Sequence, residues 1–204
     1  MIYCSMSAPG NIVERSYLAA KHGDEAALRE LYKLGADFGT AMGDGVASAT
    51  NLLIAAQNGH DKCIRILHEC GADVNTADDG TTPVYMAAQN GHGECIRILH
   101  ECGADVNTAD DGATPVFIAA QNGHGECIRI LHECGADVNT ADDGTTPVYM
   151  AAQNGHGECI RILHECGADV NTANQNGATP VFIAAQQGHG ECIRILHECG
   201  ADVN

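Results

Sequence analysis

Nowhere does this 204-residue chain hold the roughly 18–20 consecutive apolar residues that a bilayer-spanning helix needs. Its opening, MIYCSMSAPGN, has neither a basic start nor a sustained apolar segment, which argues against a secretory signal. Lysine and arginine are scarce, 10 against 27 aspartates and glutamates, for a formal charge of −17. The clustered cations of a nucleic-acid footprint are therefore missing. Signatures of catalysis are missing too: there is no Gly-x-Ser-x-Gly, no glycine-rich phosphate loop and no pair of acids placed in a cleft. No short Cys-x-x-Cys hook offers itself to a metal. These absences lead us to expect a cytoplasmic or nuclear protein that is not an enzyme. It should need no cofactor, hold no metal, and meet neither nucleic acid nor membrane.

What the chain does have is repetition. The stretch DDGTTPVYMAAQNGHGECIRILHECGADVNTA, Asp78 to Ala109, returns at Asp110 and Asp142 and, slightly changed, from Asn174. Gly80, Gly112 and Gly144 are spaced by 32 residues, and Gly177 follows 33 later. A more worn copy, NLLIAAQNGHDKCIRILHECGADVN, runs from Asn51 to Asn75. A period of this size signals a solenoid, in which each unit is too small to bury its own apolar face and stacks on its neighbours to do so. Flexible residues 1–11 are expected to precede a single stack of units at 12–45, 46–77, 78–109, 110–141, 142–173 and 174–204. Each middle unit sets Asp78, Asp79, Glu94, Glu101 and Asp105, or their equivalents, against one Arg97. That periodic acidity suits either a basic protein surface or plain solubility.

One unit reads as helix, turn, helix and extended finger. Thr82-Pro83 is a helix start, since Thr caps orphan amides and Pro fits the first helical position. Val84 to Ala88 follow as a short helix, whose paired alanines allow another helix close, and Gly91 ends it. The second helix is expected from about Glu94 to Cys102, with Cys95, Ile96, Ile98 and Leu99 inward and Arg97 and Glu101 (i, i+4) toward water. Gly103 stops it, and the Gly, Asp and Asn of GADVNTADDG turn the chain.

Ten cysteines come as five pairs seven apart, from Cys63 and Cys70 to Cys192 and Cys199. Two helical turns separate partners by about 10 Å, beyond the roughly 7 Å limit of a disulfide. Equivalent cysteines on stacked helices should lie about 8–10 Å apart. Free, partly buried thiols in a reducing compartment are the reading. His100 and Cys102, two apart, do not share a helix face and so make a poor metal pair. Protonating all eleven histidines would take the charge from −17 to −6, which leaves a pH switch open.

The run TPVYMAAQNGHGECIRILHECGADVN closely resembles the ankyrin repeat, through Thr82-Pro83, Ala87-Ala88, Gly91-His92, Glu94, Leu99 and Gly103-Ala104-Asp105-Val106-Asn107. Five units match, with Thr82-Pro83 worn to Thr50-Asn51 in the first, and Ser16 to Asp37 looks like a divergent leading repeat. The resemblance implies an all-α fold, an ankyrin-repeat α-solenoid of about six stacked helix-turn-helix units with β-turn fingers, whose family role is to bind proteins. Three departures stand out. The family's first-helix His, which ties units by hydrogen bonds, is replaced by Tyr85, Phe117, Tyr149 and Phe182, so an aromatic ladder should substitute packing for polar ties. Most fingers are one residue shorter than usual, Asp105 to Thr114 being 9, whereas Asp169 to Thr179 is 10. The first finger, with FGTAMGDGVASA, is irregular and reads either as a drifted connection or as a distinct contact loop.

By the same resemblance, a partner protein, possibly with a basic surface, should meet the finger tips and the concave first-helix side. Those positions are Asp79, Thr81, Gln89 and Asn90, then Asp111, Ala113, Gln121 and Asn122, then Asp143, Thr145, Gln153 and Asn154. The alternative is a structural spacer array within a larger chain. It draws on the near-identity of the units and on a last helix, ECIRILHEC, that matches its buried cousins and so invites end-to-end self-association. Leu99 with Asp105-Val106-Asn107 also resembles the asparagine-hydroxylation pattern of ankyrin fingers. The same asparagine could simply stabilise the finger turn. Four of the ten cations lie between Arg15 and Lys33, as befits a polar N-terminal cap.

Overall fold

The structure, a computed structural model, describes residues 12–38, 51–78, 80–140, 142, 144–202. The expected flexible segment 1–11, the irregular first finger from residue 39 to residue 50, and the tip residues Asp79 and Asp143 lie outside them. The described chain forms twelve α-helices in six pairs: α1 (Ile12–His22) with α2 (Glu25–Lys33), α3 (Asn51–Gln57) with α4 (Asp61–Glu69), and α5 (Pro83–Gln89) with α6 (Gly93–Glu101). Next come α7 (Pro115–Asn122) with α8 (Gly125–Glu133), α9 (Pro147–Gln153) with α10 (Gly157–Glu165), and α11 (Pro180–Gln187) with α12 (Gly190–Glu198).

The first helix of a pair starts where Thr-Pro demands. Thr82, Thr114 and Thr146 are buried caps, and the Thr82 hydroxyl accepts from the Tyr85 amide at 3.2 Å. Proline supplies the first helical residue in α5, α7, α9 and α11. The second helix begins one residue earlier than expected, at Gly93, and ends at Glu101, with Cys102 as its cap. His92 occupies the N-cap position without a side-chain cap bond, for its ring is used elsewhere. Among the described second helices, only α2 has a side-chain cap, the Asp24 carboxylate accepting from the Ala27 amide at 2.9 Å.

Pairs stack in order. The first helices α1, α3, α5, α7, α9 and α11 pack in one layer, and the second helices α2 through α12 in the other. Ala55-Ala56, Ala87-Ala88, Ala119-Ala120 and Ala151-Ala152 are fully buried, which lets adjacent first helices approach closely. Ile64, Ile96, Ile128 and Ile160, with Leu67, Leu99, Leu131, Leu163 and Leu196, fill the space between the layers. One continuous core runs from Ala19 to Ala201, so no pair owns a core of its own.

The aromatic replacements are buried as packing elements at Tyr85, Phe117 and Tyr149. They do not make a ring-on-ring ladder: among the described residues the stacked ring pair is Tyr32 with Phe38, centroids 6.2 Å apart. Successive units bury these rings alike, and Tyr85 and Tyr149 join the continuous apolar core instead.

The short fingers are closed by pairing of Asp78 to Thr81, Asp110 to Ala113 and Asp142 to Thr145. Asp111 (φ 47°) and Gly112 (φ 92°) both take left-handed values, as a two-residue primed hairpin turn requires. In the longer last finger the Asn174 side chain takes over, accepting from the amides of Asn176 and Ala178 at 3.0 and 3.1 Å.

Candidate protein-interaction surface

Three ladders of side chains cross the unit boundaries and set the register of every exposed group. The first joins the fingers. The Asn75 carboxamide oxygen accepts from the Asp105 amide at 2.9 Å, and its Nδ2 donates to the Gly103 carbonyl at 3.3 Å. Asn107 does the same for the Asp137 amide (3.0 Å), Asn139 for Asp169 (2.9 Å) and Asn171 for Asp202 (2.8 Å). Within a finger, the Asp105 carboxylate accepts from the Asn107 amide at 2.8 Å and the Thr108 hydroxyl at 3.1 Å. The finger asparagine thus closes its own turn and grips the next one. Its carboxamide is committed to structure.

The second ladder is histidine on glycine. Nε2 of His60, His92, His124, His156 and His189 donates to the carbonyls of Lys21, Gln57, Gln89, Gln121 and Gln153, at 3.0 Å for the first and 3.1 Å for the rest. Each ring lies over the preceding unit's glycine: a Cβ on Gly91 would come within 2.8 Å of His124 Nδ1. Gly91 is therefore required twice, by φ 79° and by the ring above it.

The third ladder is ionic. Arg65 pairs with Glu101 at 2.8 Å, Arg97 with Glu133 at 3.0 Å, Arg129 with Glu165 at 3.2 Å and Arg161 with Glu198 at 2.9 Å, each cation reaching the next unit. Arg29 and Glu69 continue the row at 3.7 Å. The i, i+4 spacing of Arg97 and Glu101 does put both toward water, but their partners lie across the stack. These exposed pairs contribute register more than stability.

Against this frame stand the positions expected to meet a partner. Thr81 donates its hydroxyl to the Asp110 carboxylate at 2.7 Å, linking one tip to the next. Asp111 is exposed at its tip, while Ala113 and Thr145 are half-buried beside theirs. Gln89, Gln121 and Gln153 are half-buried at the ends of their helices; Asn90, Asn122 and Asn154 beside them are exposed. Asn90 and Asn154 spend Nδ2 on the carbonyls of Met86 and Met150, at 2.8 and 3.0 Å, and Asn122 reaches the Gln89 carbonyl at 2.9 Å. The second-helix side carries a depression of about 380 Å³ lined by Glu25, Arg29, Asp61, Lys62, Arg65 and their neighbours. Its opposite charges pair with one another, as Lys62 does with Glu25 at 3.7 Å.

The ten described cysteines are free thiols. Burial, above all, pushes Cys63 and Cys159 up to about 11, and Cys95 and Cys127 up to about 12. At neutral pH these are protonated packing groups and poor nucleophiles. Among the described residues no cluster of three or more His, Cys, Asp or Glu could hold a metal ion, and no helix is long and apolar enough to cross a membrane.

Two layers of helix pairs with turn fingers, repeating every 32 or 33 residues, define an α-solenoid. A family model described as "Ankyrin repeats (3 copies)" matches residues 16–110, 52–142 and 116–204. The chain belongs to the ankyrin repeat family. No curated protein matched it. Ankyrin repeats are in general protein–protein interaction modules and typically non-enzymatic scaffolds.

Proposed function

We propose that this chain is a protein-interaction scaffold that holds a partner along its finger tips and first-helix side. The contact strip comprises Asp79, Thr81, Gln89 and Asn90 with their equivalents Asp111, Ala113, Gln121 and Asn122, and Asp143, Thr145, Gln153 and Asn154. The observation that carries the reading is the finger ladder: the side-chain oxygens of Asn75, Asn107, Asn139 and Asn171 accept from the next finger's amide and tie each finger to the next before any partner arrives. A surface ordered in advance loses little conformational entropy on binding. Its acidity, within a chain of charge −17, favours a partner with a basic surface. Thr81 and the three asparagines contribute chiefly by holding their neighbours, so the strip's aspartates, Asp111 exposed among them, are the recognition groups.

The test is partner capture by the intact chain and by the triple variant Asp79→Lys, Asp111→Lys, Asp143→Lys, at low and high salt. We expect capture to fall and its salt dependence to flatten in the variant. Unchanged capture with an unchanged salt response would remove the strip and leave the spacer reading, which the near-identity of the units favours.

A further inference from the structure

The repeat is broken where its second helices begin. In α6, α8, α10 and α12 that helix opens with glycine and glutamate, Gly93-Glu94 and its copies. The bare glycine leaves room for an isoleucine of the following unit: a Cβ on Gly93 would lie 2.6 Å from Ile130 Cδ1, and one on Gly125 2.7 Å from Ile162 Cδ1. Backbone and aliphatic tip close the boundary between them, and a side chain at that place would displace the isoleucine.

Helix α4 opens with Asp61-Lys62 instead, and α2 with Glu25-Ala26. In the same register Asp61 faces Ile98 and Glu25 faces Ile66, so the close glycine contact cannot form. Ile66 and Ile98 stay buried, and the depression of about 380 Å³ opens beside them. Second helices of three successive units frame it. Its volume is at the small end of the roughly 300–1,000 Å³ of small-molecule sites.

Six charged side chains line this depression, and their pairing is uneven. Arg65 holds Glu101 at 2.8 Å. The other two cations are held loosely: Arg29 is 3.7 Å from Glu69 and Lys62 is 3.7 Å from Glu25. These three pairs leave Asp61 and Glu94 without a cation among the described residues. Both carboxylates act on one buried group, for after burial itself Asp61 and then Glu94 push the Cys95 thiol up to about 12. Unneutralised acid therefore lies toward α4 and α6, and exchangeable cations lie toward α2 and α4, over an aliphatic base.

We propose that the depression between α2, α4 and α6 binds a small aliphatic zwitterion of the amino-acid class. Its ammonium pairs with Asp61 and Glu94, and its carboxylate with Lys62 and Arg29. Its short apolar body rests over Ile98 and on the methylene stems of Lys62 and Arg65. A molecule with one charge leaves one side of the depression unanswered, which is the source of selectivity. The site is on the second-helix side, apart from the finger-tip strip, so either can fail without the other.

The test is titration of leucine into the intact, isotope-labelled chain, followed by two-dimensional NMR. Saturable shifts are expected at the amides of residues 61–65 and 94–98. N-acetyl-leucine lacks the ammonium and leucinamide lacks the carboxylate. Each should bind about tenfold more weakly or worse, as loss of a charge-assisted bond requires. The double variant Asp61→Gly, Lys62→Glu should lose leucine by a similar factor. It rewrites the start of α4 as Gly-Glu, with which four other second helices of this chain already fold. Lys62→Met keeps the depression open and should weaken leucine while leaving leucinamide unaffected. Four results would overturn the proposal: no saturable shift with leucine, an analogue that binds as tightly, a double variant of unaltered affinity, or a Lys62→Met variant that treats leucine and leucinamide alike.

Discussion

Gly91 and Gly103 look alike in the repeat but are held by different forces. Both have positive φ, 79° and 91°. Gly103 faces open space, while a methyl on Gly91 would run into the His124 ring. Gly103→Ala should therefore cost only the left-handed backbone penalty, about 1–2 kcal/mol. Gly91→Ala should cost that plus an overpacking penalty of about 1–3 kcal/mol. Urea unfolding of the two variants checks this, and equal costs would remove the histidine–glycine ladder from the account. The sequence marks both glycines as turn residues because turns have local chemistry. It does not reveal the ring over Gly91, since that ring arrives from 33 positions later. The cysteines were legible for the same kind of reason: seven-residue spacing alone rules out bridging within a helix, and Cys95 and Cys127 are indeed free and buried.

Among the elements, the Thr-Pro helix starts and the Asp111-Gly112 finger fold as their sequences direct, because both are fixed by contacts within four residues. The second helix differs by a residue at its start because His92 is drawn away to the Gln57 carbonyl, which leaves Gly93 as the first helical residue. Arg97 is a similar case: the helical wheel puts it outside, but only the stack supplies Glu133. The finger asparagines are the element-scale device with the widest reach, each serving two fingers. Asn139→Ala removes the acceptor of the Asp169 amide and a donor to the Gly167 carbonyl. We expect a loss of about 1 kcal/mol and faster hydrogen exchange at the Asp169 amide, with the Asp137 amide on Asn107 unaffected. Unchanged exchange at Asp169 would mean that the fingers are not tied together, and the ordered contact strip would lose its support.

Across the whole molecule, stability is a property of boundaries between units, and the chain contains its own control. Helices α8 and α12 have the same sequence, GECIRILHE, and α7 and α11 differ at one position, Asn122 against Gln187. Local propensity cannot distinguish them; neighbours can. We expect amides of α11 and α12 to exchange faster than those of α7 and α8 by native-state hydrogen exchange. Equal protection would show that a pair stands without its successor. The 32-residue period, the order of helix and finger within a unit, the left-handed glycines and the acidic charge follow from the amino-acid sequence by itself, because each depends on composition or on residues a few positions apart. Which groups each unit lends to the next was decided only in three dimensions, where residues 30 to 37 positions distant become neighbours. The difference between the covered Gly155 and the open Gly188 was decided there too. Two identical segments acquire different roles because contact with another unit, and nothing in their own residues, determines what is buried.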